Sequence, residues 1–273
     1  MSYKLCPKCE LNFILDTEQM CKSCSESFNE RKIGKSSHKK IKTTPRRNIV
    51  FKCNFCDGGE ENNGIGFAGI CTDDILKYNT ANKVWCGADE CYCKKYIDGK
   101  MTRRQIEEAY AKDNRCVCYE SHLLVNWEMA AGMVVRGKNK GTPNKLLGVR
   151  TNSLCILTTQ NPNMRSEDRY IFGVFLVKRG DDGDDVSAGM VVADEKYRIS
   201  LNTAEAKKIP FWKYYQNDSD KAPTQWGTGL FRYIDDATAI KILEDIIEIK
   251  NDIREKERSV EFLKYFRNVN LLD

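Results

Sequence analysis

The chain has 273 residues, of which 41% are hydrophobic and 30% charged, and its net charge is +5. This composition is typical of a folded protein with one medium domain and one or two small ones. It excludes a membrane-spanning helix, because no apolar run approaches the roughly 18–20 residues that such a helix needs. The first residues lack the pattern of a signal peptide, so we predict a cytoplasmic protein without a membrane partner.

Thirteen cysteines are the most informative residues, since twelve of them precede residue 120 and several form C-x-x-C pairs. In a reducing compartment this pattern indicates metal binding rather than disulfides. The first group has the spacing of a zinc ribbon, in which two knuckles supply four thiolates to one tetrahedral zinc ion. So short a segment cannot form a core without its metal. We therefore predict a structural zinc ribbon in residues 1–30, with the ligands Cys6, Cys9, Cys21 and Cys24.

Residues 31–52 contain nine Lys or Arg and no acidic residue. Such a segment does not fold alone, so we predict a basic linker. The same charges can neutralise nucleic-acid phosphates without selecting a sequence. A second basic loop, rich in glycine, comes at residues 136–141. The predicted phosphate contacts in these two segments are Lys39, Lys40, Arg46, Arg47, Arg136 and Lys138.

Residues 53–122 form a second cysteine-rich region, which we predict to be a metal-binding domain. After the Cys53-x-x-Cys56 pair, further cysteines follow at 71, 86, 91, 93, 116 and 118, and His122 comes shortly after them. Several combinations fit a second four-thiolate zinc site, and an iron–sulfur cluster is the alternative. We expect Cys53, Cys56, Cys86 and Cys91 as ligands, and therefore two zinc ions in all. Thr102 and Gln105 form a capping box that predicts a helix ending near Lys112.

Alternating β-branched and aromatic residues predict four strands in the second half of the chain. They are Leu154–Thr159, Tyr170–Val177, Gly189–Ala193 and Tyr197–Leu201. The first two are apolar on both faces and should be central, and such short, closely spaced strands favour a small curled sheet or barrel. A short helix is predicted from Thr203. A long amphipathic helix from Ala237 to about Glu257 should cover the barrel and offer a surface to a protein partner.

The segment Leu154–Thr159, the polar loop after it, and Tyr170–Val177 resemble the central β-hairpin of PUA-like domains, a superfamily that includes EVE, YTH and ASCH modules. The resemblance covers residues from Asn126 to about Ile247. It implies a small β-barrel with flanking helices, and several family members hold a modified nucleobase in an aromatic cage. The expected fold class is therefore α+β: zinc ribbon, cysteine-rich zinc-binding region, and a PUA-like barrel in residues 123–273 with a long C-terminal helix.

An aromatic cluster follows the predicted strands and comes just before the glycine turn 227–229. Two arginines, Arg169 and Arg232, are next to aromatic residues in the sequence. As a group these residues indicate a pocket in which a flipped base stacks on aromatic rings. The predicted pocket residues are Trp212, Tyr214, Asn217, Trp226, Thr228 and Arg232, whereas Phe211 and Phe231 are expected in the core.

The favoured function is a zinc-containing protein that binds nucleic acid, DNA in preference to RNA, and recognises a modified base in DNA defence or modification sensing. The alternatives are a metal-dependent nuclease or other DNA-processing enzyme, with its active site in residues 53–135, and a zinc-knuckle scaffold for protein partners. Asp194 with Glu205-Ala-Lys207 resembles the acid and E-x-K arrangement of nucleases, but Glu205 falls in the first turn of a predicted helix. No catalytic residue is predicted.

Overall fold

The chain divides into two units, residues 1–43 and residues 44–273. The computed structural model describes residues 3–5, 13–15, 45–59, 66–112, 118–134, 136–178, 189–216, 226–227 and 229–273. In the first unit, β1 (Tyr3–Leu5) pairs antiparallel with β2 (Phe13–Leu15). The cysteines of the predicted zinc ribbon lie outside the described residues, as do Lys39 and Lys40. The ribbon therefore stays a prediction.

The second unit is built on a six-stranded sheet with the order β4-β7-β6-β5-β3-β8. Its strands are β3 (Asn48–Lys52), β4 (Glu128–Ala130), β5 (Leu154–Thr159), β6 (Tyr170–Val177), β7 (Met190–Ser200) and β8 (Phe231–Ile234). Every residue of β5 and β6 is buried, which confirms the prediction that these two apolar strands are central. β3 runs parallel to β5, and the other pairs in this sheet are antiparallel.

Two irregularities bend the sheet. The β5–β6 register shifts between Leu157 and Thr158, and the β6–β7 register shifts between Phe175 and Val177. Bulges of this kind increase the local twist, so the sheet is curled, as the sequence predicted. β7 spans the two strands that were predicted separately. The β6–β7 register shift falls between them, and there Asp194 Oδ1 accepts the N–H groups of Lys196 and Tyr197.

The strand β3 differs from the prediction, which placed these residues at the end of a basic linker. Ile49, Val50 and Phe51 are fully buried between β5 and β8. Burial of this apolar run fixes the backbone even though basic residues flank it. The Oδ1 of Asn48 accepts the Leu154 N–H at 2.9 Å, which ties the start of β3 to β5. The cysteine-rich residues 53–122 are consequently inserted between two strands that pair with each other.

Seven α-helices are present in the part of the chain that the structure describes. They are α1 (Asp73–Asn82), α2 (Tyr92–Ile97), α3 (Arg103–Lys112), α4 (Leu123–Asn126), α5 (Thr203–Ala206), α6 (Asp236–Ile249) and α7 (Ile253–Val269). The capping box before α3 is confirmed, because the Thr102 N–H donates to Gln105 Oε1 at 2.8 Å. None of these helices is long and apolar enough to cross a membrane.

The single long C-terminal helix of the prediction is in fact two helices, α6 and α7. The chain turns at Lys250, whose buried Nζ donates to Glu205 Oε2 and to Glu255 Oε2, both at 2.9 Å. Asp252 then caps α7 by accepting the N–H groups of Arg254 and Glu255. A buried ion pair and a new N-cap therefore end α6 at a position where the apolar periodicity alone predicts continuation.

Candidate functional site

Two arginine side chains lie against one buried tryptophan. Trp226 is 1% exposed, and its Nε1 donates to the Gly229 carbonyl at 2.6 Å. The guanidinium carbon of Arg169 lies 5.2 Å from the centroid of the indole ring, and that of Arg232 lies 5.4 Å from it. A ring face attracts a cation at this distance. The indole therefore holds two positive charges that come from positions 63 residues apart in the sequence.

Arg169 is the unusual member of this group, because it is buried and pairs with no carboxylate among the residues that the structure describes. Its Nη1 donates to the Thr158 carbonyl at 3.0 Å and to Thr158 Oγ1 at 3.2 Å, whereas its Nε has no partner. Burial lowers the pKa of Arg169 to about 10, against the opposing effects of Cys53 and Tyr170. An uncompensated buried cation is costly in free energy, so an anion placed here would be stabilised.

Two lysines join the arginines to form what we call the cationic cluster: Lys52, Lys83, Arg169 and Arg232. Lys52 ends β3, and its pKa is lowered by burial and then by the positive charges of the other three. Lys52 Nζ lies 3.5 Å from the Gly227 carbonyl. Arg232 donates to the carbonyls of Phe231 and Trp226. Within the described ranges, the partners of these cations are carbonyl and hydroxyl oxygens and aromatic rings rather than carboxylates: Lys83 Nζ, for example, lies 5.6 Å from the centroid of the Tyr78 ring.

The glycine turn after Trp226 lets the cationic cluster form at the surface. Gly227 is exposed and has a φ of 70°. A Cβ at Gly229 would lie 2.6 Å from Nη1 of Arg232, so a larger residue there would displace this guanidinium. Lys52 and Arg232 are half-buried, and the cluster is therefore accessible from solvent beside Gly227.

The predicted aromatic cage differs from the arrangement observed. Trp226 is buried, and the Trp212 ring contacts it edge-on, with 6.2 Å between centroids. Phe211 is fully buried, as expected, and its ring centroid lies 5.1 Å from that of Trp226. Phe231, also expected in the core, is half-buried and packs against it. The Tyr214 hydroxyl donates to Asp245 at 2.6 Å. These rings pack on one another, and Trp226 is buried among them. Asn217 and Thr228 lie outside the described residues.

The predicted phosphate contacts have different surroundings. Arg46 is paired with Asp236 and donates to Asn48 Oδ1 at 2.7 Å, so it joins β3 to α6 and its charge is already neutralised. The guanidinium of Arg47 lies 5.1 Å from the ring of Tyr233. Two others, Arg136 and Lys138, are exposed on their loop.

A cleft of about 190 Å³ lies between the cysteine-rich insertion and the sheet. Its floor includes Phe67 and Phe172, whose rings stack 3.8 Å apart at 9°. The cleft is lined by Phe55, Cys56, Asp57, Gly59, Gly66, Phe67, Leu124, Tyr170, Phe172, Leu201, Thr203 and Ala206. The sequence did not predict this cleft, because its two walls were assigned to separate domains. The sequence signal for this cleft was two phenylalanines, Phe55 and Phe67, in a region otherwise rich in cysteine, glycine and asparagine.

Six cysteines from the insertion lie close together, and we call them the thiol cluster: Cys56, Cys71, Cys86, Cys91, Cys93 and Cys118. The pKa of Cys71 is raised by the neighbouring Cys56 and then by burial, and the pKa of Cys93 is raised by Cys118 and Cys91 and then by burial. Cys86 interacts electrostatically with Cys118, Cys91 and Cys56. Three of the four predicted ligands of the second metal site thus lie in the cluster. Cys53 instead lies near Cys155.

The two nuclease-like carboxylates noted in the sequence have separate partners in the structure. Glu205 caps α5 and pairs with the buried Lys250 at 2.9 Å. Asp194 Oδ1 accepts the N–H groups of Lys196 and Tyr197 within its own strand. Both carboxylates are therefore engaged in local structure rather than facing a shared metal.

Comparison with protein-family models gives no match, and neither the search of curated proteins nor that of solved structures gives one. The likeness to PUA-like domains accordingly stays a prediction from the sequence pattern. The chain is characterised here by its α+β fold, its curled six-stranded sheet, and the cationic cluster beside Trp226.

Proposed function

We propose that this chain binds nucleic acid, and that the cationic cluster holds a phosphate of the bound strand. The observation that carries the proposal is Arg169, a guanidinium that is 4% exposed, has an unpartnered Nε, and faces no carboxylate among the described residues. Guanidinium groups bind phosphate oxygens through charge-assisted hydrogen bonds, which are about twice as strong as neutral ones. A phosphate would therefore relieve the cost of burying this charge.

A polynucleotide fits the surroundings better than a free anion does. The cationic cluster begins at Lys52, the last residue of the basic segment 31–52, so further positive charge precedes it in the chain. A strand that contacts several cations releases several counterions, and this release is the main source of sequence-independent affinity.

The aromatic cleft supports a role in base recognition close to the phosphate site. Phe55 is three residues from Lys52, and Tyr170 follows Arg169 directly, so the Cα atoms in each of these pairs lie within about 10 Å of one another. A base in the cleft would stack on aromatic side chains, a contact worth about 1–3 kcal/mol per base. Single-stranded or flipped-out bases suit such a cleft, since the cost of unstacking is smallest for them. We thus retain the predicted base-binding function and move it to different residues.

The zinc sites have a structural part in this proposal, because four thiolates leave no open coordination position. The zinc ribbon of residues 1–30 would present its own surface and the basic segment to the nucleic acid. The predicted protein partner of the C-terminal helix stays a prediction. Ile253 on α7 is 71% exposed.

The salt dependence of binding tests the proposal. Affinity for a fluorescently labelled single-stranded oligonucleotide is measured by anisotropy between about 50 and 200 mM salt, a range in which phosphate contacts weaken strongly. We expect Lys52→Ala and Arg232→Ala each to reduce the slope of log K against log salt by about 0.7, the value for one phosphate contact on a single strand. Lys178→Ala is the control, because this lysine is exposed and pairs only loosely with Glu195, at 3.6 Å.

Two results would contradict the proposal. One is an affinity that does not change with salt. The other is an equal loss of affinity in the Lys178→Ala variant and in the two cluster variants. Repeating the titration with double-stranded DNA and with RNA of the same sequence determines which nucleic acid is preferred.

A further inference from the structure

We propose that Trp85 is a stacking platform for an unpaired base of the nucleic acid whose phosphate the cationic cluster holds. This inference rests on the proposed function and extends the binding surface to the turn at residues 84–87, between α1 and α2. Trp85 was not among the pocket residues that the sequence predicted.

The turn carries an exposed apolar pair. Val84 is 86% exposed and Trp85 is 56% exposed. Wherever the structure describes side-chain exposure, every other Trp, Phe and Tyr is buried or half-buried. A tryptophan is normally well buried in a folded chain, and tryptophans left at the surface are enriched where a partner binds. The exposure of Trp85 is therefore better explained by binding than by packing.

This turn is held in place by the end of α1 and by a buried cysteine. The Lys83 N–H donates to the Asn79 carbonyl at 2.8 Å, and the Gly87 N–H donates to the Lys83 carbonyl at 2.8 Å. A Cβ at Gly87 would lie 2.6 Å from the Thr80 carbonyl oxygen, so a larger residue would push the turn away from α1. Cys86 is only 6% exposed. An aromatic ring on a fixed backbone loses little conformational entropy when it binds.

Hydrogen bonding places the turn beside the cationic cluster. Asn79 Nδ2 donates to the Phe55 carbonyl at 2.7 Å, and Phe55 is three residues from Lys52. The charge of Lys83, which also helps to lower the pKa of Lys52, supports the same placement. Trp85 is two residues from Lys83, so the Cα atoms of these two residues lie within about 7 Å of each other. A strand held at the cluster can therefore reach the indole.

Charge and chemistry favour a base as the occupant. The cluster attracts phosphates, and a base attached to one of them brings a flat π face to the ring of Trp85, a contact that every base can make. Asp89 and Glu90 are exposed and follow the turn. Because carboxylates repel phosphates, we expect the strand to reach Trp85 from the side of Lys83. A base within a duplex is already stacked on its neighbours, so the platform suits a single strand.

The first test compares Trp85→Ala with the wild type by fluorescence anisotropy, on single-stranded and double-stranded DNA of one sequence. We expect affinity for the single strand to fall about 5- to 100-fold, the loss for one stacked base, while affinity for the duplex stays the same. The slope of log K against log salt should not change, because an indole releases no counterion. Trp85→Phe should bind more tightly than Trp85→Ala, since a phenyl ring also stacks.

Ile253→Ala is the matched control, because Ile253 is an exposed apolar residue on α7 and should not affect affinity. Unchanged affinity of Trp85→Ala for the single strand would overturn this inference and indicate a protein partner for the turn, and the proposed function would still stand if binding kept its salt dependence. Equal losses on the single strand and the duplex would also overturn it. Wild-type binding that does not change with salt would instead contradict the proposed function itself.

The second test uses the wild-type chain alone, so it does not depend on how a variant folds. Hydroxyl-radical footprinting, read out by mass spectrometry, measures the oxidation of Trp85 with and without a saturating oligonucleotide. A single strand should protect Trp85, whereas a strand of the same length with abasic sites in place of its bases keeps the phosphates and should not protect it. Protection by both strands, or by neither, would overturn the inference.

Discussion

Replacement of Arg169 by methionine should separate stability from binding. The pKa of this arginine falls from 12.5 to about 10 through burial, which corresponds to about 3 kcal/mol of destabilisation of the charged form. The substitution removes this cost. It also removes a buried cation–π contact worth about 2 kcal/mol and hydrogen bonds to Thr158 worth about 1 kcal/mol. These effects nearly cancel, and methionine adapts well to the vacated space.

We therefore expect the free energy of unfolding of Arg169→Met to lie within about 1 kcal/mol of the wild type, because the opposing terms are similar in size. Nucleic-acid affinity should fall about 10- to 100-fold, since a hydrogen bond to a charged group is worth about 1.5–3 kcal/mol. Arg46→Met is the matched control. It leaves Asp236 without its cation, so it should lower stability by about 2 kcal/mol or more without a comparable loss of affinity.

Urea denaturation, followed by circular dichroism, measures the stability of both variants, and fluorescence anisotropy measures their affinity. Destabilisation of Arg169→Met by more than about 3 kcal/mol, the size of a large core truncation, would show that this arginine has a structural role. Unchanged affinity in a stable Arg169→Met variant would refute the assignment of the cationic cluster to a phosphate.

Three further predictions concern the fold. Lys250→Met leaves Glu205 buried without its partner and should lower stability by about 3–5 kcal/mol in a thermal or urea melt, whereas adding Glu205→Gln should recover part of this loss. Burial disfavours ionisation of Asp245, but hydrogen bonds from Lys213, Tyr214 and Lys241 hold its pKa at about 2, below the value of 3.8 expected in the unfolded chain. The wild type therefore has a stabilisation above pH 4 that it loses as the pH falls towards 2. Asp245→Asn should remove this pH-dependent stabilisation. Trp226→Ala should lower the free energy of unfolding by about 3–5 kcal/mol, and Trp212→Ala should lower it less, because Trp212 is only half-buried. Parallel urea titrations of the two variants check this.

Local sequence patterns were sufficient for the elements whose causes are local. The strands β5 and β6 follow from continuous apolar runs, and α3 follows from a capping box that spans four residues. β3 could not be predicted in this way, because its partner in β5 is more than a hundred residues away and its flanking charges indicate a linker. The break between α6 and α7 likewise depends on Glu205, a buried partner from another helix.

The candidate site was predictable in its components but not in its geometry. Arg169 and Arg232 were noted beside aromatic residues, and Trp226 was noted beside a glycine turn. That both arginines contact this one ring depends on tertiary packing, which local periodicity does not encode. The sequence likewise does not determine which cysteines would bind a second zinc ion, because several spacings are equally compatible with a four-thiolate site.

The indole N–H of Trp226 provides the most direct test of the phosphate site. It donates to Gly229 beside the two guanidinium groups, so a phosphate bound there should change its chemical shift in a ¹⁵N spectrum of the full-length chain, with the signal assigned by Trp226→Phe. Trp127 is the internal control, because Arg198 lies 5.4 Å from its ring and it precedes β4, at the opposite edge of the sheet from β8. On titration with a short single-stranded oligonucleotide, the Trp226 signal should move with the Kd measured by anisotropy while the Trp127 signal stays in place. Saturable binding that leaves the Trp226 signal unmoved would contradict the account.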